Sequence, residues 1–163
     1  MKSNCTPKKG VPKMSGKKRA EIEQKAFDYF QSGFNCAEAI SKAIVETFSN
    51  ETSTDIPKVA TGFGGGIGAS KAETCGTLTG GIIALGCLFG RKQPKDDKKT
   101  AYEVAAEFRQ KFIQSFGSST CRNILEGFGE QENLIECKKL TGRAAGILYA
   151  MIEDIIPEAT GKA

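Results

Sequence analysis

The glycine-rich apolar run at residues 73–90, ETCGTLTGGIIALGCLFG, constrains the fold more than any other part of the chain. An apolar stripe at helical spacing predicts a buried helix here: Leu78, Ile82, Leu85 and Phe89. Each glycine in a helix interior costs about 1 kcal/mol relative to alanine. The glycines of this run therefore need compensation, and we expect another backbone to pass close to the helix. A membrane span would need about twenty apolar residues, so this run is too short for one.

The other periodic segments are also helical. Helices are predicted from Lys17 to about Gly33, from Cys36 to Phe48, over 56–60, from about Asp96 to Phe116, from Cys121, and from about Leu134 to Pro157. The helix at 96–116 carries its apolar residues at core spacing: Tyr102, Ala105, Phe108, Phe112 and Phe116. No stretch alternates with period two over a useful length. The predicted class is all-α, a compact bundle of about five to six helices around the glycine-rich helix.

Charge is concentrated at the N-terminus. Seven of the 23 basic residues lie within positions 1–19, which contain no acidic residue, whereas the remaining chain has 16 basic and 19 acidic residues. We therefore interpret residues 1–16, including Cys5, as a disordered basic tail, and residues 17–163 as a single helical domain. The folded body has no basic surplus, which argues against nucleic-acid binding. No apolar segment follows Met1, so no secretory signal is predicted and a cytoplasmic location is expected.

The cysteines carry the chemistry, because the chain has six cysteines and no histidine. Three of them directly follow a capping residue at a predicted helix start: Cys36 after Asn35, Cys75 after Thr74, and Cys121 after Thr120. The positive end of a helix dipole stabilises a thiolate, so this position predicts a lowered thiol pKa. Glu38 completes a capping box with Asn35.

Two chemistries would use such thiolates. Paired cysteines could cycle between dithiol and disulfide, and four gathered cysteines could bind zinc or an iron–sulfur cluster. The chain has no C-x-x-C pair, which weighs against the metal. Alternatively the cysteines are inert core residues, which is the preferred interpretation for Cys87 and remains open for Cys137.

The loop at 61–68, TGFGGGIG, fits part of a dinucleotide-binding motif. No β-branched strand precedes it and no G-K-[ST] follows it, so a phosphate site is disfavoured. A side-chain-free loop that passes close to the cysteine-bearing helix is the preferred interpretation.

These motifs together resemble the C-GCAxxG-C-C family of redox-active proteins. GFNCAEA at 33–39, FGGGIG at 63–68 and CGTLTG at 75–80 occur in the family's order, followed by Cys121 and Cys137, and the resemblance covers about residues 20–155. The family's four cysteines fall on Cys36, Cys75, Cys121 and Cys137, and its glycine motifs on Gly64, Gly65, Gly66, Gly76 and Gly80. Thr77 stands where the family has alanine.

The resemblance implies thiol–disulfide electron transfer by these four cysteines. Cys75 is the suggested attacking thiolate, because it begins the glycine-rich helix where a partner backbone can approach. Chain order suggests Cys36 as its resolving partner, and Cys121 with Cys137 as a second pair. No cofactor is predicted under this hypothesis, and the partner is a redox protein or a small-molecule oxidant or reductant. The first alternative is a cysteine-ligated zinc or iron–sulfur protein. The second alternative is a helical interaction module in which the cysteines are structural.

Overall fold

The computed structural model describes residues 7–8, 16–49 and 55–156. Within these ranges it contains α1 (Gly16–Gln31), α2 (Cys36–Phe48), α3 (Ile56–Ala60), α4 (Gly76–Phe89), α5 (Lys99–Phe116), α6 (Cys121–Phe128) and α7 (Ile135–Ile155). Short 3₁₀ turns occupy Thr61–Phe63 and Glu132–Leu134. None of the helices in the described ranges is long and apolar enough to cross a membrane. The described residues form seven α-helices, which correspond to the seven helical segments predicted one by one and exceed the predicted bundle of about five to six.

The all-α class is confirmed. The described residues form no strand, and their β-type pairing is limited to two isolated bridges, Pro7 with Ser49 and Thr74 with Thr120. Pro7 and Lys8 lie along the end of α2, where the Lys8 amide donates to the Phe48 carbonyl at 2.6 Å. The rest of the predicted tail before Gly16, including Cys5, and the predicted helix stop at Pro157 lie outside the described residues.

Helices α2 and α7 lie at the centre of the core, because each packs against several other helices. Helix α2 packs mainly on α4, α1 packs mainly on α7, and α5 covers the far side of α4 and α7. Large side chains from four of these helices are fully buried together: Ile40, Ile44, Phe48, Leu78, Leu85, Phe108, Phe112, Leu148 and Tyr149. Because these helices share one core, the N-termini of α2 and α4 are held in a fixed relation.

The glycines of α4 permit its close crossing with α2, as the sequence predicted. A Cβ on Gly80 would overlap the backbone of Ala37, and a Cβ on Gly81 would overlap the ring of Phe108. Gly86 differs, because no atom outside its own helix lies within 4 Å of a Cβ built there. Packing therefore requires glycine at positions 80 and 81, whereas it does not require glycine at position 86.

Two predicted core positions are exposed instead. Tyr102 on α5 is 64% exposed, and Val104 takes the buried position near that end of the helix. Leu134 is 48% exposed because it precedes α7 rather than belonging to it. Asn133 and Leu134 have left-handed φ angles of 49° and 56°, so the chain turns there before α7 begins.

Candidate functional site

The four motif cysteines line one cavity of about 400 Å³. Cys36 is 9% exposed, Cys75 7% and Cys121 8%, whereas Cys137 is half-buried. Most of the remaining wall is apolar and comes from Phe30, Ile124, Leu125, Leu134 and Leu140. Residues that are far apart in the sequence thus place their sulfurs around a single space.

Cys36 is fixed at the first position of α2 by the predicted capping box. The Asn35 Oδ1 atom accepts hydrogen bonds from the amides of Ala37 at 3.0 Å and Glu38 at 3.1 Å. In return, the Asn35 amide donates to the Glu38 carboxylate at 2.7 Å. These reciprocal bonds satisfy three otherwise unpaired amides and set the position of the Cys36 side chain.

The loop between α3 and α4 passes directly over this cap. The Asn35 amide Nδ2 donates to the Thr61 carbonyl at 3.0 Å. A Cβ on Gly64 would overlap the Asn35 side chain, and one on Gly76 would overlap the Cys36 sulfur and lie 2.9 Å from the Phe63 carbonyl oxygen. The predicted side-chain-free loop is confirmed, and its glycines leave room for the Cys36 sulfur.

The same loop then runs through a left-handed segment. Five consecutive residues have positive φ: Gly65 at 61°, Gly66 at 76°, Ile67 at 61°, Gly68 at 58° and Ala69 at 58°. This conformation costs about 1–2 kcal/mol for each residue with a side chain, here Ile67 and Ala69. A Cβ on Gly66 would lie 2.8 Å from the Cys121 Cβ. The segment therefore closes tightly on Cys121 and brings Lys71 to the cavity wall.

Cys75 and Cys121 are tied together by the Thr74–Thr120 bridge. The Cys75 amide donates to the Ser119 carbonyl at 2.8 Å, and the Cys121 amide donates to the Glu73 carbonyl at 2.9 Å. The prediction that Thr74 caps α4 is wrong, because Cys75 is itself the N-cap residue. Thr120 is the N-cap of α6 as predicted but makes no side-chain capping bond.

Cys137 is positioned by Gln131, a residue that the sequence analysis did not identify. The Gln131 Oε1 atom accepts from the amides of Glu136 at 3.0 Å and Cys137 at 3.2 Å. Its Nε2 atom donates to the Cys137 sulfur at 3.5 Å. Gln131 thus caps α7 and contacts the sulfur with the same side chain. No local sequence pattern marks a capping residue so far ahead of its helix.

The predicted lowering of the thiol pKa is wrong. Burial raises the pKa of the Cys36 thiol, although the amides of Gly65, Ala37, Cys36 and Thr77 face its sulfur and act in the opposite direction. Burial, followed by the nearby Cys36 sulfur, raises the pKa of Cys75 to about 12. Loss of hydration therefore outweighs the helix amides at both positions.

The thiol pKa values on the other side of the cavity are also raised. For Cys121 the causes are burial and then the sulfurs of Cys36 and Cys137, and Lys71 opposes them. For Cys137 the main cause is burial, which the hydrogen bond from Gln131 opposes. These mutual electrostatic effects among sulfurs from separate helices indicate that the four thiols are neighbours.

Thr77 connects the two sides beneath the cavity. Its hydroxyl is 2.8 Å from that of Thr141, and both residues are buried. Thr141 donates to the Cys137 carbonyl at 2.8 Å. The hydroxyl of Thr77, at the position where the motif has alanine, therefore joins α4 to α7.

The sulfurs are distributed around the cavity rather than around one point. Among the described residues, no three cysteine, aspartate or glutamate side chains are grouped as they would be around a metal ion. A shared centre would require the cysteine side chains to turn inward.

Comparisons with known proteins agree with this arrangement. Residues 34–151 match the family described as "Putative redox-active protein (C_GCAxxG_C_C)". An uncharacterized protein of Archaeoglobus fulgidus is 25% identical over 145 residues, which are 82% of this chain and 95% of that protein. No solved structure matches the chain. The family match contains all four cavity cysteines and most of the helical body, and the chain belongs to the C_GCAxxG_C_C family.

Proposed function

We propose that this protein transfers electrons by cycling its cavity cysteines between dithiol and disulfide forms. The observation that carries the proposal is the convergence of Cys36, Cys75, Cys121 and Cys137 on one cavity. Cysteines that line one cavity are candidates for an S–S bond, which requires their Cα atoms to lie about 4.4–6.8 Å apart. A reducing cytoplasm is the proposed location, since it would return the disulfide to the dithiol form.

The reaction is a thiol–disulfide exchange with a disulfide R–S–S–R. The Cys137 thiolate attacks one sulfur, forms a mixed disulfide and releases one thiol R–SH. Cys121 then attacks the Cys137 sulfur, releases the second R–SH and leaves a Cys121–Cys137 disulfide. Two electrons and two protons move from the protein thiols to the two R–SH molecules. The reverse sequence oxidises two thiols and regenerates the dithiol.

We assign the first attack to Cys137 rather than to Cys75, which its position at the start of the glycine-rich helix had suggested. Cys137 is half-buried and its sulfur accepts a hydrogen bond from Gln131 at 3.5 Å. Cys75 is 7% exposed, and burial raises its thiol pKa to about 12. Attack requires an accessible thiolate, and Cys137 meets this requirement better.

Cys36 and Cys75 form the proposed inner pair. The Thr77 amide faces the sulfurs of both residues, which supports their proximity. Exchange between the inner dithiol and the outer disulfide would pass two electrons outward, leaving an inner disulfide and an outer dithiol, without a new external partner. The protein would then store up to four electrons as two dithiols.

Thiol counting on the reduced protein tests this function. Under mild oxidation we expect a reversible loss of two and then four thiols, with Cys121–Cys137 and Cys36–Cys75 linkages in peptide mass spectra. The double variant C121A/C137A should oxidise much more slowly than C36A/C75A, because it lacks the outer pair. Unchanged thiol counts in folded protein, or linkages that exclude these four cysteines, would refute the proposal.

A second candidate function is binding of zinc or an iron–sulfur cluster by the same four cysteines. The amides that face the Cys36 sulfur favour it, because amide hydrogen bonds to thiolate ligands tune such centres. Cys36, Cys75, Cys121 and Cys137 would supply the four sulfur ligands. Anaerobic purification followed by metal analysis and a visible spectrum distinguishes the candidates. Near-stoichiometric metal that is lost in C36A and in C137A would favour the metal centre.

A further inference from the structure

We propose that the redox substrate is a small organic disulfide with an apolar arm that carries one anionic group, and that this arm enters the cavity beside Lys71. The inference rests on the proposed function, because it names the substrate of the same site. It also makes a separate claim, that the cavity binds a small apolar monoanion whether or not electrons are transferred.

The size and lining of the cavity favour a small apolar ligand. Its volume of about 400 Å³ lies within the range of about 300–1,000 Å³ that is usual for small-molecule pockets. The apolar wall consists of Phe30, Ile124, Leu125, Leu134 and Leu140. A charged or strongly hydrated molecule would lose its hydration here without compensation, whereas an aromatic or aliphatic arm would gain apolar contact.

The depth of the sulfurs disfavours a folded protein as the substrate. Cys36, Cys75 and Cys121 are each at most 9% exposed. A cysteine on the surface of a folded partner would have to approach these buried sulfurs past the half-buried Cys137. A small disulfide can enter the cavity itself and reach Cys137 and Cys121, which removes this restriction.

Lys71 provides the charge selectivity. Of the described residues that line the cavity, Lys71 is the charged one, and no acidic group of the described residues lies within ion-pair distance of its ammonium. The backbone of Lys71 has a φ of 61°, and its amide donates a hydrogen bond to the Gly65 carbonyl at 2.8 Å. Lys71 is exposed where it lines the cavity, so a ligand anion at this edge can pair with its ammonium.

The neighbouring cleft does not cancel this charge. That cleft shares Lys71 and Leu125 with the cavity and also contains Arg122, Glu126 and Glu130. Among the described residues, neither carboxylate forms an ion pair with Lys71 or Arg122, and neither lines the cysteine cavity. An anionic group at Lys71 with its apolar arm directed toward the cysteines avoids both carboxylates.

In the proposed reaction the arm binds first, which places its disulfide beside Cys137 and Cys121. Cys137 forms the mixed disulfide and releases one R–SH, and Cys121 displaces the second. The protein loses two electrons and two protons, and the small disulfide gains them.

Equilibrium binding of a redox-inert pair of probes tests the claim on the full chain with its thiols reduced. The probes are 2-naphthoate and its neutral counterpart 2-naphthamide, followed by calorimetry and by protection of the cysteines from alkylation. We expect naphthoate to bind about three- to fivefold more tightly than naphthamide, the effect of one partly exposed ion pair. Bound naphthoate should slow alkylation of the cavity cysteines.

Three variants locate the site. K71Q should remove the preference for naphthoate. K58Q should leave it unchanged, because Lys58 is 80% exposed, pairs with Asp55 and does not line the cavity. L125W should weaken both probes by partly filling the cavity from a half-buried position on α6, while its helical circular dichroism stays unchanged.

The outcomes separate the two proposals. Absence of saturable binding and of cysteine protection overturns the cavity claim, even if the thiols cycle. Equal binding of both probes that is insensitive to K71Q overturns the anionic selectivity. Selective binding by a protein whose thiols do not cycle supports the cavity claim and refutes the redox function alone.

Discussion

The two cysteine pairs lie at the same cavity but are held by different means. Cys36 and Cys75 are held where α2 and α4 cross, at a contact so close that a Cβ on Gly76 would overlap the Cys36 sulfur. Cys121 and Cys137 are held by the eight-residue helix α6, by left-handed turns and by the side chain of Gln131. The proposed inner pair depends on close helix packing in addition to its hydrogen bonds, whereas the proposed outer pair depends mainly on turns and hydrogen bonds.

This difference separates stability from reactivity. Core packing resists small movements, so changes near the inner pair should alter the free energy of unfolding. Local turns and a side-chain cap can rearrange at lower cost, so changes near the outer pair should alter thiol reactivity more than stability. The following measurements test that division.

The largest expected effect is on stability at the α2–α4 crossing. G80A should lower the free energy of unfolding by about 2–3 kcal/mol, because the added Cβ overlaps the Ala37 backbone. G86A is the matched control on the same helix, since open space surrounds its position. It should be neutral or stabilise by up to about 1 kcal/mol. Equal effects in denaturant titrations would contradict the packing argument.

The second largest effect is expected in the alkylation rates, which should differ between Cys137 of the outer pair and Cys75 of the inner pair. With limiting iodoacetamide at pH 7, we expect Cys137 to react about 100-fold faster than Cys75, because thiolate is the reactive form. A Cys75 thiol whose pKa is raised to about 12 is almost entirely protonated at this pH. Its rate should therefore rise about tenfold per pH unit well beyond pH 9. Faster labelling of Cys75 at pH 7 would reverse the assignment of the attacking thiol.

The hydroxyl contact between Thr77 and Thr141 should contribute less to the free energy of unfolding. T77A restores the residue of the family motif and removes the hydroxyl pair with Thr141, which should cost about 1 kcal/mol of unfolding free energy. T79A is its control, because the Thr79 hydroxyl bonds within its own helix to the Gly76 carbonyl at 3.1 Å. A cost for T79A as large as that for T77A would mean that the connection of α4 to α7 is unimportant.

The smallest effect is expected at Gln131. Q131E keeps an oxygen that can accept from the amides of Glu136 and Cys137 but removes the donor to the Cys137 sulfur. It should slow alkylation of Cys137 by about threefold, with little change in thermal stability. Q131A should slow alkylation and also destabilise α7 by about 1 kcal/mol through loss of the cap. An unaltered alkylation rate of Cys137 in Q131E would show that the Gln131 side chain does not affect the Cys137 thiol.

Local signals in the sequence predicted the helices and one of the caps. The capping box at Asn35 and Glu38 was predicted correctly because both partners lie within four residues. The close approach at Gly80 was also predictable, because a glycine in an apolar helix needs a packing reason. The gathering of the cysteines followed from the motif rather than from periodicity.

Tertiary contacts account for what the sequence did not predict. Thr74 pairs with Thr120 in a bridge instead of capping α4, and Thr120 is the N-cap of α6 without a side-chain capping bond. The raised pKa of Cys36 depends on burial by several elements, whereas the prediction considered its own helix alone. Lys71 reaches the cavity through a left-handed turn, and Gln131 reaches the Cys137 sulfur as a distant cap, which no periodic pattern reveals.

The Thr74–Thr120 bridge also has a consequence for the order of folding. It joins two short segments on either side of α4 and α5, and the loop that it closes contains both helices. Closing so long a loop is entropically costly unless those helices have already docked. We therefore expect α4 and α5 to dock early and the cavity to be completed late. During that interval the chain has a folded core, while Cys121 and Cys137 are still as reactive as the cysteines of an unfolded chain.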